Sequence, residues 1–225
     1  MVINKQIVAI IPARGGSKRI FKKNINLLAG KPLIAYTIEA SLNSQLINRI
    51  IVSTDDSEIA DVAKTYGAEV IMRPKEISEV DSPTEQAMLH AIKEIEKQNY
   101  ITDYVVLLQP TSPLRGTDII NKGINIILES DADSVLSVCE IRHYYLTGYF
   151  HEDYYKLEYD KRPFSHTMPK KYRENGAFYI TKKDCLIKTQ NRISGKIKAI
   201  IMNELDSIDI DEKEDFNLVE KFVSS

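Results

Sequence analysis

The sequence predicts an α/β fold: a mostly parallel sheet in three layers, built from βαβ units. Three observations predict it. Short apolar runs rich in β-branched residues recur at Ile7–Ile11, Arg49–Asp55 and Asp103–Gln109, the pattern of strands buried on both faces. Segments with helical spacing separate them, which makes the strands parallel. The runs also end in polar residues, and ligands bind open α/β sheets at the carboxyl ends of their strands.

The first run stops at Pro12, and the pair Gly15-Gly16 follows at once. Arg14, Lys18, Arg19, Lys22 and Lys23 crowd the same few residues. A Gly-rich loop after a buried strand offers backbone N–H groups and positive charge to phosphate, so a triphosphate-binding loop is expected. A solvated basic turn is the alternative. The Gly pair directly after the strand and the single sign of the charges favour phosphate. The order Gly15-Gly16-Ser17-Lys18 fits neither the dinucleotide fingerprint nor a P-loop.

Pro32–Leu42 has apolar residues at Leu33, Ile34, Ile38 and Leu42, near helical spacing, with Pro32 at a first helical position. Ser57–Tyr66 reads as a helix closed by Gly67. Glu69–Met72 is a short strand ended by Arg73-Pro74, residues 78–83 are a loop, and Thr84–Gln98 is an amphipathic helix. Pro110–Arg115 follows the third strong strand, its two prolines stiffening a turn. Thr117–Glu129 is a helix and Ser134–Val138 a strand. Asp55 reads equally as a strand-end ligand or as half of a helix-capping Asp55-Asp56 pair.

The pattern changes after Cys139. His143–Tyr159 holds Tyr144, Tyr145, Tyr149, Tyr154, Tyr155 and Tyr159, half of the chain's 12 tyrosines. His151-Glu152-Asp153 splits the segment into two runs, which predicts a β-hairpin. A lone hairpin is marginal in water and an exposed aromatic face usually finds a partner, so a dimerisation arm is expected; packing on its own domain is the alternative. Three regions follow: a nucleotide-binding α/β core (1–139), the arm (140–170), and the remainder of the core (171–225). In the last, Asn175-Gly176 reads as a tight turn before a strand at Ala177–Ile180.

Ser207-Ile208-Asp209-Ile210-Asp211 closes the chain's motifs. On an extended segment residues i and i+2 share a face, so Asp209 and Asp211 point together while Ile208 and Ile210 face the core. Two adjacent carboxylates repel unless a cation lies between them, and Mg²⁺ with phosphate oxygens and water fits. Asp211 also reads as the start of a capping box with Glu214, opening a helix to Phe222.

Composition narrows the partners. With 225 residues, 43% hydrophobic and 28% charged, the chain has material for one large α/β domain. A net charge of −2 argues against an extended nucleic-acid surface; the cationic loop suits a small anion. Cys139 and Cys185 supply neither a disulfide framework nor a zinc pattern. No apolar stretch reaches membrane-spanning length and the N-terminal run is too short for a signal peptide, so a cytoplasmic enzyme is expected.

Several of these stretches together resemble a known family. Ala13-Arg14-Gly15-Gly16-Ser17-Lys18 and Lys23-Asn24 are similar to the signature of the CMP-sialic acid synthetases, the N-acylneuraminate cytidylyltransferases; Phe21 stands where many members have Pro. Leu108-Gln109-Pro110-Thr111-Ser112-Pro113-Leu114-Arg115 matches a second family motif residue for residue. Arg73-Pro74, Arg173-Glu174-Asn175-Gly176-Ala177-Phe178-Tyr179 and Ser207–Asp211 match three more, in family order. The resemblance implies a Rossmann-like nucleotidyltransferase sheet, a homodimer, and coupling of CTP to a nonulosonic acid, a nine-carbon acidic sugar, with release of pyrophosphate. It implies that Ala13, Arg14, Gly15, Ser17, Lys18, Asn24, Arg73, Thr84 and Gln109 bind the nucleotide. Gln109, Ser112, Arg173, Asn175 and Tyr179 would serve the sugar side. Asp209 and Asp211 would hold Mg²⁺, and Arg14, Lys23 and the two aspartates would carry the chemistry.

One departure stands out. Where the family has an Arg for the sugar's carboxylate, this chain has Ser165, with Arg162 or His166 as substitutes, so a bidentate contact is lost and the sugar is left open. Legionaminic or pseudaminic acid is the near alternative, and a sugar-1-phosphate nucleotidylyltransferase a further one. A non-catalytic nucleotide binder is disfavoured by retention of both aspartates. None of the four histidines falls in a matched motif, no general base stands out, and His90 reads as a surface residue of its helix.

Overall fold

The computed structural model describes residues 5–17, 19–79, 81–141, 146–162, 164 and 169–223. In chain order its regular elements are β1 (Ile7–Pro12), β2 (Leu27–Leu28), β3 (Lys31–Pro32), α1 (Leu33–Leu42), β4 (Arg49–Thr54), α2 (Ser57–Thr65), β5 (Glu69–Met72), α3 (Thr84–Glu96) and β6 (Tyr104–Leu107). They continue as α4 (Thr117–Leu128), β7 (Ser134–Ile141), β8 (Gly148–His151), β9 (Tyr154–Leu157), β10 (Lys171–Lys182), α5 (Lys183–Thr189), β11 (Ile197–Met202) and α6 (Lys213–Val223).

Among the described residues the main sheet has seven strands in the order β11-β7-β10-β6-β1-β4-β5. Only β10 runs against its neighbours; the other pairings are parallel. Alternation along β1 explains the layers: Ile7, Ala9 and Ile11 face one core with α1, α2 and α4, while Val8 and Ile10 face another with α3 and α5. A strand buried on both faces has no polar side to spare, which is why its sequence is a continuous apolar run. Gly123 of α4 sits where an added methyl would strike the ring of Phe178, so helix and sheet approach closely there.

From β1 the chain proceeds outward to β4 and β5, then returns to the other side of β1 as β6. That reversal makes the carboxyl ends of β1 and β6 a switch point, where such sheets open a crevice.

A third apolar cluster lies off the sheet. It joins Ile20, Leu28 and Leu33, from the stretch after β1, to Ile210, Phe216 and Val219, from the acidic segment and α6. It clamps the two ends of the chain together.

Several expectations are corrected. Asn175-Gly176 is not a turn before a strand: β10 runs through it, with a register shift between Glu174 and Tyr179 and Gly176 at φ 76°. A bulge with a left-handed glycine keeps the strand paired while displacing its carbonyls. The third strong strand is shorter than read: it covers Tyr104–Leu107, and the N–H of Leu108 makes one more bond to the Ile10 carbonyl (3.1 Å) before the chain turns away. The helix expected at Ser57 is capped by Asp56, whose carboxylate accepts from the N–H of Glu58 and Ile59. The Asp211–Glu214 capping box gives way to Asp215, whose carboxylate accepts from the N–H of Asp211 and Glu212. His90 is mostly buried, its side chain 18% exposed. Both cysteines are free.

The aromatic segment does form a hairpin: β8 and β9 pair antiparallel as a separate two-stranded sheet. Phe150 and Tyr154 are 74% and 73% exposed, so the hairpin stands away from the core. Tyr144 and Tyr145, like Ser165 and His166, lie outside the described residues. No described helix is long and apolar enough to cross a membrane.

Candidate active site

A cleft of about 440 Å³ opens at the switch point between β1 and β6. Arg14, Ser17, Arg19, Lys23, Arg73 and Asp211 line it, with Thr84 at the start of α3 and Gln109-Pro110-Thr111 after β6.

The loop after β1 is shaped by its own polar groups. The N–H of Ala13 donates to the carbonyl of Ser53 (2.9 Å), the last contact with the sheet before the chain lifts away. The N–H of Gly15 donates to Asp55 Oδ1 (3.0 Å). Asp55 is therefore a strut under the loop and Asp56 is the cap. A Cβ on Gly15 would lie 2.8 Å from Asp56 Cβ, so only glycine fits that approach. Asn24, 6% exposed, donates to the carbonyl of Arg14 (3.0 Å) and closes the loop from the far side. Lys18 lies outside the described residues.

The acidic segment meets this loop. Lys23 Nζ is 2.7 Å from the Ile210 carbonyl and 3.2 Å from Asp211 Oδ1. Arg19 reaches the same Asp211 oxygen at 3.4 Å and donates to Glu212 at 3.0 Å. On the other side the N–H of Ile210 donates to the Thr111 carbonyl (2.8 Å), tying the segment to the turn after β6. Asp209 is more enclosed than Asp211, and its Oδ1 is buried without a hydrogen-bond partner. Burial pushes its carboxyl above the ordinary range and Asp211 adds to this, against the Thr111 hydroxyl and Lys23.

Arg73 donates to the Ser53 carbonyl (3.0 Å) and faces the cleft from the end of β5. Burial pulls its guanidinium pKa down, and nearby Asp55 partly offsets that. Gln109 Nε2 donates to the Gly176 carbonyl (3.2 Å), so the bulge of β10 holds a cleft side chain. The sequence did not single out Ser82 and Glu79, which also line the cleft; they lie in a stretch read only as a loop.

Some expected sugar-side residues are placed otherwise. Ser112 is fully buried and does not line the cleft. Asn175, 4% exposed, is spent on structure: its amide donates to Ser207 Oγ (2.9 Å), and its oxygen accepts from Ser137 and from the Ala177 N–H. It ties the middle of β10 to β7 and to the start of the acidic motif. Arg173 is exposed on the outer part of β10. Tyr179 is buried and donates to Glu174 (3.1 Å); burial and the Glu174 carboxylate push its phenol up to about 12. Arg192 stacks over its ring at 5.4 Å and is fixed by Glu85 (2.6 Å).

The arrangement can hold a polyanion. Arg14, Arg19, Lys23 and Arg73 bring positive charge to the cleft, and Asp211, paired with Lys23 and Arg19, brings a carboxylate to the same place. Among the described residues no cluster of three or more acidic, His or Cys side chains could hold a metal alone.

A family model described as cytidylyltransferase matches residues 8–224. An N-acylneuraminate cytidylyltransferase of Escherichia coli O18:K1:H7 is 34% identical over 95% of this chain, which spans 51% of that protein; the chain is thus about half its length. A CMP-N,N'-diacetyllegionaminic acid synthase of Legionella pneumophila is 36% identical over 97% of this chain and 96% of its own. A pseudaminic acid cytidylyltransferase of Campylobacter jejuni is 37% identical over 77% of each. In fold, the chain is similar to CMP:2-keto-3-deoxy-manno-octonic acid synthetase complexed with CTP, with a TM-score of 0.76, 15% identity, and coverage of 98% and 99% of the two chains. With a family model matched along nearly the whole chain and relatives above 30% identity, this chain belongs to the cytidylyltransferase family.

Proposed function

We propose that the chain transfers a cytidylyl group from CTP to the hydroxyl of an acidic nine-carbon sugar of the nonulosonic type, giving the CMP-sugar and pyrophosphate. One observation carries the reading: Lys23 lies 3.2 Å from Asp211, so the cationic loop and the acidic segment, 188 positions apart, share one cleft. A metal-bound triphosphate needs both charges in one place. Arg14 and Lys18 hold the β- and γ-phosphates, and Lys23 meets charge developing near the α-phosphorus. Ala13, Gly15, Ser17 and Asn24 shape the loop, and Arg73 and Thr84 hold the nucleoside side. Gln109 stands between nucleotide and sugar. Arg173 and Tyr179 belong to the sugar side, and the buried Asn175 braces the strand that carries them. Catalysis in such a site is positioning and charge stabilisation.

Asp209 and Asp211 are the residues to hold Mg²⁺. The partnerless buried oxygen of Asp209 suits a hard cation, and phosphate oxygens and water complete such a shell. When bound, the ion neutralises phosphate charge and polarises phosphoryl oxygens. The exposed aromatic hairpin within residues 140–170 is the arm of a homodimer, and a CTP-dependent enzyme of this kind belongs in the cytoplasm.

For the sugar, the extent of the matches favours a legionaminic- or pseudaminic-type acid over an acylneuraminate. A legionaminic acid synthase matches along 96% of its own length and a pseudaminic acid cytidylyltransferase along 77%, whereas the E. coli acylneuraminate enzyme is matched along 51%. Pyrophosphate release measured with CTP against a panel of nine-carbon acids tests both levels. Release with one acid supports the reaction and names the substrate; release with none, under Mg²⁺, overturns the reading.

A further inference from the structure

Arg115 is the largest fully buried side chain in the protein's described residues, 1% exposed. Among those residues it has no carboxylate partner, and burial alone pulls its pKa down to about 9. Burying a cation without a counter-ion is costly, and a polar turn after a strand does not require one. Its contacts show what the guanidinium does there. Nη1 donates to the carbonyls of Ala177 (2.8 Å) and, at longer range, Gln109 (3.5 Å). Nη2 donates to Thr37 Oγ1 of α1 (3.0 Å), and that hydroxyl also donates to the Gln109 carbonyl (3.3 Å).

These acceptors frame one cleft residue. The Gln109 side chain donates to the carbonyl of Gly176, the residue before Ala177. A Cβ on Gly176 would lie 3.1 Å from Gln109 Nε2, so the contact is close and leaves little slack. Arg115 thus grips the main chain at the base of Gln109 and the bulge that receives its side chain. A planar fork serves several acceptors at set angles, which a flexible ammonium does not.

We propose that Arg115 is a positioning residue for the reaction: from beneath the cleft it locks Gln109 against the β10 bulge, in the orientation that meets the bound nucleotide. The proposal rests on the cytidylyltransfer reading. Its test uses Arg115→Lys and Thr37→Val, each alone and combined with Gln109→Ala, with CTP affinity read by calorimetry and kcat/KM by pyrophosphate release. Each single variant should weaken CTP binding by about tenfold, the scale of one lost charge-assisted hydrogen bond. Neither should add a loss in the Gln109→Ala background, and Thr37→Ser, which keeps the hydroxyl, should behave as wild type. Losses that multiply, or wild-type affinity in both single variants, overturn the proposal. Thr37→Val carries the test if Arg115→Lys does not fold. If the wild type binds no CTP, the nucleotide reading has failed instead. The Gln109 side-chain amide resonance then decides: it should shift in Thr37→Val, and an unmoved resonance overturns the proposal.

Discussion

Asp209 keeps one carboxylate oxygen buried with no partner, and its backbone neighbour Ile210 supplies the packing. Removing the side chain therefore relieves a cost to the fold while removing a proposed metal ligand. Asp209→Ala should lower turnover by at least about a hundredfold, the scale of losing one charge-stabilising group, with a cooperative melt near that of wild type. Unchanged Mg²⁺-dependent activity would show that the carboxylate has no such part. Glu85 makes the contrary case. Burial alone would raise its pKa, but the hydrogen bond from Arg192 holds it below the ordinary carboxylate range. A carboxyl with a depressed folded pKa stabilises above its unfolded pKa and loses that contribution as pH falls through the folded value. Glu85→Gln should thus be less stable than wild type at neutral pH. The gap in melting temperature should close as pH drops below the carboxylate range; a pH-independent gap would exclude the ion pair as the cause.

At the scale of elements, the hairpin is the part of the molecule with least to hold it. Two strands alone are marginal, and Phe150, Tyr154 and Tyr155 remain exposed, although Phe150 and Tyr155 pack edge to face at 5.3 Å. A second copy of the chain would cover these rings. Light scattering should give twice the chain mass, and Phe150→Ser with Tyr154→Ser should shift the mass toward the monomer. A monomeric wild type would remove the arm's proposed role. The bulge in β10 shows an element serving a site: one left-handed glycine moves two carbonyls, which then anchor Gln109 and Arg115.

At the scale of the whole molecule, the cluster of Ile20, Leu28 and Leu33 with Ile210, Phe216 and Val219 joins the ends of the chain that supply the two charges of the cleft. Phe216→Ala should cost about 3 kcal/mol, the low end for deleting a buried phenyl ring. It should also raise the Mg²⁺ and CTP concentrations needed for half-maximal rate, because the acidic segment loses its clamp. A destabilised variant with wild-type nucleotide dependence would mean that the polar ties at Lys23 and Thr111 hold the segment unaided.

The alternating elements up to β7, the cationic loop and the paired aspartates were legible in the sequence. Each is a local pattern: a doubly buried strand must be apolar throughout, and a phosphate loop must carry Gly and Lys or Arg within a few residues. What residues 183–202 form was not legible, because α5 and β11 are short and mostly exposed on one side, so their apolar periodicity is weak. Nor was the burial of Ser112 and Asn175, whose polar character reads as ligand binding until their partners are known. By itself the sequence determined the strand–helix order and which residue types could meet a triphosphate. Only the tertiary structure decided that Lys23 and Asp211 meet, that Asp55 is a strut, and that Arg115 lies under Gln109. Those facts depend on strand order and on packing between distant segments, and neither is encoded in any local window of the chain.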